Sequence, residues 1–330
     1  MNASTDILLS VQDLGVRFPT PRGELQALDA VSLDVRRSST LAIVGESGSG
    51  KSVLSRSILR LLPASAKVPR EARIVFDGID LLAQSQSAMQ KIRGRRIAMV
   101  FQDPMTALNP VRTIGSQLTE GLRLHLRLSA ADADARALQL LEQVGISAPA
   151  RRLAQYPHEL SGGMRQRVVI AMAIACEPEL LIADEPTTAL DVTVQAEILE
   201  LMRRLQRERR MTMILITHDL GVAAGFADDI AVMYAGQVVE RADTRRIFKH
   251  TRMPYSHALL QSIPRLEDEP HAALNTIAGR PPTLYGEAPT SCRFAARCDR
   301  RVAQCDAEPP RLRSDEPGHA YRCWRPLERA

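Results

Sequence analysis

Over residues 7–35 apolar and polar side chains alternate, and the tripeptide Pro21-Arg22-Gly23 interrupts the alternation. A period of two broken by a turn predicts antiparallel strands. Leu41-Ala-Ile-Val-Gly45 is a short apolar run that predicts a buried strand, and helical spacing follows over 51–62. Residues 72–76 and 97–101 predict further strands. Helical periodicity returns over 114–144, with a break at Leu128-Ser129, and again over 161–175, where Ser161 is the candidate N-cap. Leu180-Leu-Ile-Ala-Asp184 and Met213-Ile-Leu-Ile-Thr217 predict buried strands on either side of a helix over 192–207. Residues 230–240, with Gly236 in the middle, predict a hairpin. Strands alternating with helices predict an α/β fold with a mostly parallel sheet covered on both faces.

The pattern stops after about residue 264. Proline becomes dense, from Pro270 through Pro281, Pro282 and Pro289 to Pro326, and no period survives. The chain therefore divides into a main domain over 1–264 and a loop-rich extension over 265–330. An extension of that composition buries little apolar surface and is expected to need a staple such as a metal.

Composition adds little. Hydrophobic residues make up 45% and charged residues 25% of the 330, ordinary for a chain with a real core. The net charge of +5 is too small and too spread to argue for nucleic acid. No run approaches the roughly 18 apolar residues of a membrane span, and the opening Met1-Asn-Ala-Ser-Thr-Asp6 is unlike a signal peptide. The expected location is cytoplasmic, with any membrane role exerted through a partner.

The chemistry is concentrated in short motifs. Gly45-Glu-Ser-Gly-Ser-Gly-Lys51-Ser52 lies between a predicted strand and a predicted helix and fits the pattern of a phosphate-cradling loop. Glycines let backbone N–H groups turn inward, and the helix N-terminus adds partial positive charge. Lys51 reaches the β- and γ-phosphates, and Ser52 offers its hydroxyl to Mg²⁺. Asp184-Glu185 ends an apolar strand. Asp184 is placed to hold Mg²⁺, and Glu185 to polarise an attacking water as general base. Ser161-Gly162-Gly163 opens a helix with exposed N–H groups, a second anion site.

These motifs carry a resemblance. Together with Phe101-Gln102-Asp103-Pro104, Ala189-Leu190-Asp191 and Thr217-His218-Asp219 they resemble, in order and over nearly the whole chain, the nucleotide-binding subunit of an ABC transporter. The resemblance implies a P-loop NTPase cassette with a RecA-like core, an antiparallel β subdomain and a helical subdomain over about 105–175. It implies ATP contacts from Gly45, Ser47, Gly48, Ser49, Gly50, Lys51, Ser52 and Val53, with Phe18 under the adenine. It implies that Glu185, His218 and Gln102 serve hydrolysis, and that Ser52, Gln102 and Asp184 serve Mg²⁺. Ser161, Gly162, Gly163 and Asp191 would act on ATP held by a second cassette.

Phe101-Gln-Asp-Pro-Met-Thr-Ala-Leu-Asn-Pro110 and Tyr156-Pro-His-Glu-Leu-Ser161 are similar to the oligopeptide/dipeptide importer branch, which also includes nickel and glutathione importers. Val53, Met105 and Met164 resemble its D-type subunit. The implied partners are an F-type cassette, two transmembrane permease subunits and, indirectly, an extracytoplasmic peptide-binding protein, with no nucleic acid; the implied location is the cytoplasmic face of the inner membrane. Competing readings are a soluble cassette ATPase acting on nucleic acid, against which the uninterrupted single cassette counts, and a protein that holds ATP without cleaving it, against which Glu185 and His218 count. One departure is Arg37-Ser38-Ser39-Thr40, where the family carries Gly-Glu, which leaves that turn's geometry open.

Cys292, Cys298, Cys305 and Cys323 crowd the extension with spacings of five, six and seventeen residues. Four thiolates suit zinc or an iron–sulfur cluster. The spacing lacks the tight pairs of a zinc ribbon, and the resemblance to the peptide-importer extension implies a [4Fe–4S] cluster, with zinc, and free or redox-paired thiols, as alternatives. Cys176 reads as a small buried residue, and the basic run over 203–210 as a solvated helix end.

Overall fold

The computed structural model describes residues 6–188, 190–263, 275–287 and 289–328. Residues 1–5, Ala189, the expected boundary at 264/265 and Pro270 lie outside them. The chain divides into two units, one of 1–36, 40–82 and 215–330, the other of 37–39 and 83–214.

The first unit opens with β1 (Ile7–Thr20) and β2 (Gly23–Arg36), antiparallel from Ile7 opposite Arg36 to Thr20 opposite Gly23. Their register shifts where Asp13 and Ala30 take positive φ, the mark of bulges. β3 (Thr40–Val44) is buried along its whole length and leads to α1 (Lys51–Ile58). β4 (Arg73–Phe76) pairs with β1 and β5 (Ile79–Asp80) with β4, giving the sheet order β2-β1-β4-β5.

α1 is four residues shorter than its periodicity predicts. Arg60 takes a left-handed φ of 52°, Arg60 N–H donates to the Ser57 carbonyl at 2.9 Å, and Leu61 N–H donates to the Arg56 carbonyl at 2.8 Å. This is a Schellman closure made without glycine.

In the second unit α2 (Gln86–Ile92) precedes β6 (Ile97–Val100). Five helices follow: α3 (Pro104–Ala107), α4 (Ile114–Leu126), α5 (Ala130–Gln143), α6 (Pro149–Leu153) and α7 (Gly162–Ile174). The break expected near Leu128-Ser129 is there: Arg127 is left-handed and the Ser129 hydroxyl caps α5 by accepting from Asp132 N–H. Leu118 and Leu122 of α4 and Ala137 and Leu141 of α5 are buried on the facing sides. β7 (Leu180–Asp184) runs parallel to β6, and α8 (Val192–Arg209) follows.

The turn at Arg37-Ser38-Ser39-Thr40 closes without the family's glycine. Ser38 accepts a φ of 55°, its N–H donates to Thr212 Oγ1 and its hydroxyl to the Arg210 carbonyl, both at 2.9 Å. The basic run departs from the solvated face expected of it. Arg209 is half-buried and donates to the Ile174 carbonyl at the end of α7 and to Gln143 Oε1, and Arg204 donates to the Gln143 carbonyl. These arginines satisfy orphan carbonyls at helix ends as well as meeting solvent.

The chain passes back into the first unit along β8 (Thr212–Thr217). There α9 (Leu220–Phe226), β9 (Asp229–Tyr234), β10 (Gln237–Asp243), α10 (Thr244–Lys249) and α11 (Pro254–Gln261) follow. β9 is parallel to β3, and the hairpin to β10 turns at Ala235-Gly236, both at positive φ.

The extension is not a bare loop. It carries α12 (Ala303–Ala307), β11 (Arg313–Glu316) and β12 (His319–Tyr321), and β12 pairs with β10, so the strand order is β11-β12-β10-β9-β3-β8. Phe294, Tyr321 and Cys323 share one buried cluster with Val232, Tyr234, Met253 and Tyr255. Phe294 meets Tyr234 and Tyr255 edge-on with ring centroids 5.4 and 5.3 Å away. Apolar burial and sheet pairing contribute to holding this segment, beyond the staple expected from its composition.

Candidate active site

The first unit carries Phe18, the loop over 45–52, Val53 and His218; the second carries Gln102, Asp184, Glu185, Asp191 and Ser161-Gly162-Gly163.

In the first unit the buried β3 ends at Gly45, whose φ is 150° and whose Cβ, were there one, would lie 2.2 Å from the Met233 carbonyl oxygen. Gly50 caps α1 at φ 103°, with Ala27 O and Leu28 Cδ2 both 2.8 Å from its virtual Cβ. Gly45 and Gly50 are thus demanded twice, by dihedral and by space. Ser49 N–H closes back on the Glu46 carbonyl at 3.2 Å. Lys51 is 5% exposed, and its ammonium donates to the carbonyls of Gly45 at 2.7 Å and Glu46 at 3.1 Å. The buried Ser49 hydroxyl finds no hydrogen-bond partner among the described residues. The first turn of α1 holds no acidic residue and no side-chain cap. A concave loop with a lysine, a helix N-terminus and an unsatisfied hydroxyl fits a polyphosphate. Ser47 is exposed, and Ser52 and Val53 are half-buried. Phe18 is half-buried on β1 opposite Leu25. His218 is exposed at the end of β8, and the next residue, Asp219, caps α9 through Gly221 and Val222 N–H.

In the second unit the parallel register places Val100 opposite Ala183. Two residues beyond each stand Gln102 and Glu185. Gln102 Nε2 donates to Glu185 Oε2 at 2.9 Å, and Thr188 Oγ1 donates to the same oxygen at 3.1 Å. Glu185 takes a left-handed φ of 48°, a strained conformation for a glutamate at a strand end. Asp184 is 2% exposed. The arrangement is an oriented carboxylate beside a buried one, suited to handling a water and a cation.

The Ser161 hydroxyl caps α7 by accepting from Met164 N–H at 3.3 Å, and Ser161 and Gly162 are exposed. The two glycines have different reasons. A Cβ on Gly163 would lie 2.8 Å from Val194 Cγ1, so that glycine lets α7 approach α8; Gly162 has ordinary room. Asp191 Oδ1 accepts from Val194 N–H at 2.9 Å and caps α8.

The four cysteines of the extension carry free thiols, as does Cys176, which is buried as expected. Cys292 N–H donates to the Cys305 carbonyl at 2.8 Å. Burial raises the thiol pKa of Cys292 and Cys298 and pushes that of Cys323 up to about 11, with the other cysteines' charges adding in the same direction. Among the described residues, however, no group of three or more His, Cys, Asp or Glu side chains is arranged to hold a metal ion. The donor chemistry suits a cluster; the geometry does not display one.

Sequence reasoning missed three residues here. Glu46 in the phosphate loop is met by Tyr255 of α11 and by Arg297 of the extension, and the visible signal was an acidic residue inside that loop.

A glycine-rich loop with a buried lysine, a hydrogen-bonded carboxylate at a strand end and a Ser-Gly-Gly helix start fit an ATP-binding cassette, the class of ATPase to which comparison with known proteins assigns the chain. The chain belongs to the ABC transporter family of ATP-binding proteins, in the branch that carries the peptide-transporter C-terminal region. The model of the family described as ABC transporter matches residues 28–188. That described as "Oligopeptide/dipeptide transporter, C-terminal region" matches residues 239–305. The dipeptide transport ATP-binding protein DppD of Bacillus subtilis is 51% identical over 325 residues, covering 98% of this chain and 96% of the relative. The oligopeptide transport ATP-binding protein OppD of Escherichia coli is 45% identical over 323 residues, 98% of this chain and 94% of that one. A dimeric bacterial ABC transporter cassette is 30% identical with a TM-score of 0.64, over 72% of this chain and 99% of that chain. Its post-hydrolysis state bound to ADP and Pi gives 0.65, also at 30% identity, over 72% of this chain and 99% of that chain.

Proposed function

We propose that this chain is the ATP-binding and ATP-hydrolysing subunit of an ABC importer that takes oligopeptides or dipeptides across the cytoplasmic membrane. The observation that carries the reading is the Gln102–Glu185–Thr188 cluster at the ends of two parallel strands, in a chain that also holds an intact phosphate loop. The subunit acts peripherally, at the cytoplasmic face, on two permease subunits, as the similarity to transport ATP-binding proteins supports; among the described residues no helix is long and apolar enough to cross a membrane.

Backbone N–H groups of 45–52 and the Lys51 ammonium bind the phosphates. Ser52, Asp184 and Gln102 would hold Mg²⁺, which when bound supplies charge neutralisation at the phosphates. Glu185 orients a water and accepts its proton as the new O–P bond forms at the γ-phosphorus and the bridging P–O bond breaks, leaving ADP and phosphate. Gln102 holds the Glu185 carboxylate in place and reports on the water. His218 contacts the γ-phosphate, and Phe18 stacks under the adenine.

Ser161, Gly162, Gly163 and Asp191 serve the nucleotide of a second, F-type cassette, so that two ATP molecules close the pair and hydrolysis opens it. The extracytoplasmic peptide-binding protein selects cargo, and a nickel or glutathione importer of the same branch is the alternative. Cys292, Cys298, Cys305 and Cys323 would hold a [4Fe–4S] cluster, with zinc as the alternative; four free thiols within one short segment support this. Iron, sulfide and zinc assays on anaerobically purified protein test it, and finding none of them removes it.

Glu185→Gln tests the catalytic reading. It keeps the shape and the contact to Gln102 while removing the base. Turnover of the assembled importer should fall by about 10²-fold or more with ATP binding retained. Unchanged turnover would remove Glu185 from its role.

A further inference from the structure

The phosphate loop is gripped from the far end of the chain. Glu46, the residue after Gly45, is fixed at its N–H, its carbonyl and its carboxylate. Its N–H donates to Tyr255 Oη at 3.0 Å. Its carbonyl accepts from Ser49 N–H and from the Lys51 ammonium. Its carboxylate takes a two-pronged bond from Arg297, with Nη1 at 2.7 Å and Nη2 at 2.9 Å. Arg297 lies 251 residues away in sequence and Tyr255 lies 209.

Both gripping residues are themselves immobilised. The Arg297 side chain is 5% exposed; its Nε donates to the Ala278 carbonyl, Nη2 to that of Ile277 and Nη1 to Tyr234 Oη. Its guanidinium lies 5.8 Å from the Tyr234 ring centroid and 6.0 Å from that of Phe294. Tyr255 is fully buried between Tyr234 and Phe294. The guanidinium is therefore oriented before Glu46 meets it, the condition under which a fork-shaped ion pair is strong.

We propose that Arg297 and Tyr255 are positioning residues for ATP binding, holding Glu46 and through it the first turn of the phosphate loop in the shape that receives phosphates. The proposal rests on the reading of 45–52 as that loop. Two physical consequences follow. Arg297 neutralises a carboxylate that would otherwise stand beside a polyanionic ligand. And because Lys51 bonds the Glu46 carbonyl, any drift of Glu46 moves the ammonium. The Glu46 contact in turn raises the Arg297 pKa, and burial raises that of the Tyr255 phenol, so both keep their protons throughout the working range.

The test is equilibrium binding of a fluorescent ATP analogue to the full-length chain, with thermal melting measured alongside. Arg297→Gln should weaken binding about tenfold, the equivalent of 1.4 kcal/mol, and Arg297→Lys should restore part of it, since a point charge cannot reproduce the fork. Tyr255→Phe, which removes a single hydroxyl, should weaken binding about threefold. Arg297→Gln combined with Glu46→Gln should be no worse than Arg297→Gln alone, because the pair acts as a unit. Lys51→Ala should abolish binding. Should Arg297→Gln fail to fold, Tyr255→Phe and Glu46→Gln decide. Melting points that fall while affinities stay within twofold of the parent, with Lys51→Ala inactive in binding, would overturn the proposal and leave the loop reading intact. Normal binding by Lys51→Ala would overturn both.

Discussion

Glu240→Ala asks whether the extension is built into the first unit or merely tethered to it. Glu240, on β10, is completely buried. Its carboxylate accepts from Arg252 N–H at 2.6 Å and Met253 N–H at 3.2 Å, and lies 2.8 Å from Nε2 of His319 on β12. Truncation leaves all three groups buried without this acceptor and opens a void beside Tyr321, whose backbone pairs with Glu240. An unsatisfied buried donor costs about 1–3 kcal/mol. Three that share one acceptor do not add fully, so the expected loss is about 3–5 kcal/mol.

Trp324, the chain's one tryptophan, belongs to the extension and donates Nε1–H to the Glu308 carbonyl at 3.1 Å. Its fluorescence during urea unfolding therefore reports on this region. With a denaturant slope of about 1–3 kcal/mol/M, the midpoint should drop by more than about 1 M. Glu240→Gln, which keeps shape and one acceptor, should lose about 1–3 kcal/mol. A shift of the Trp324 midpoint below about 0.3 M in Glu240→Ala would refute the claim that sheet pairing and this buried carboxylate hold the extension.

Other outcomes are equally specific. Gly50→Ala must accept a left-handed φ, about 1–2 kcal/mol, and a backbone contact at 2.8 Å; about 2–4 kcal/mol of stability and at least tenfold in ATP affinity should go, whereas Gly48→Ala, which meets open space, should cost about 1–2 kcal/mol. Ser38→Ala loses the bond to the Arg210 carbonyl without relieving the positive φ and should cost about 1 kcal/mol, while Ser38→Gly, which relieves it, should stay within about 0.5 kcal/mol of the parent by denaturation. The Cys323 thiol, raised to about 11 by burial, favours the folded state fully below the ordinary thiol value near 9. That contribution is lost as pH climbs from about 9 through 11. Urea midpoints of metal-free protein over that window should fall less steeply in Cys323→Ala, and identical slopes would count against the shift.

Much of this protein is legible locally. The strand–loop–helix at 45–52 can be read because glycine dihedrals, a lysine and a helix start are set within a few residues. The break at Leu128-Ser129 and the caps at Ser161 and Ser129 are legible because capping is a contact between near neighbours. Even Gln102 and Glu185 follow once the parallel register of their strands is known. The early end of α1 was hidden because Arg60 accepts a conformation that composition assigns to glycine.

What the sequence by itself determined, then, is the set of elements and motifs whose causes lie within one or two turns of chain. The tertiary structure decided the rest. It joined β12 to the edge strand β10, sent Phe294 between two tyrosines, and brought Arg297 to a loop 251 residues earlier. A proline-rich segment has no period because its few apolar side chains are spent on a surface made elsewhere. Its partners are chosen by the shape and charge of that surface, which exists only once the sheet has formed.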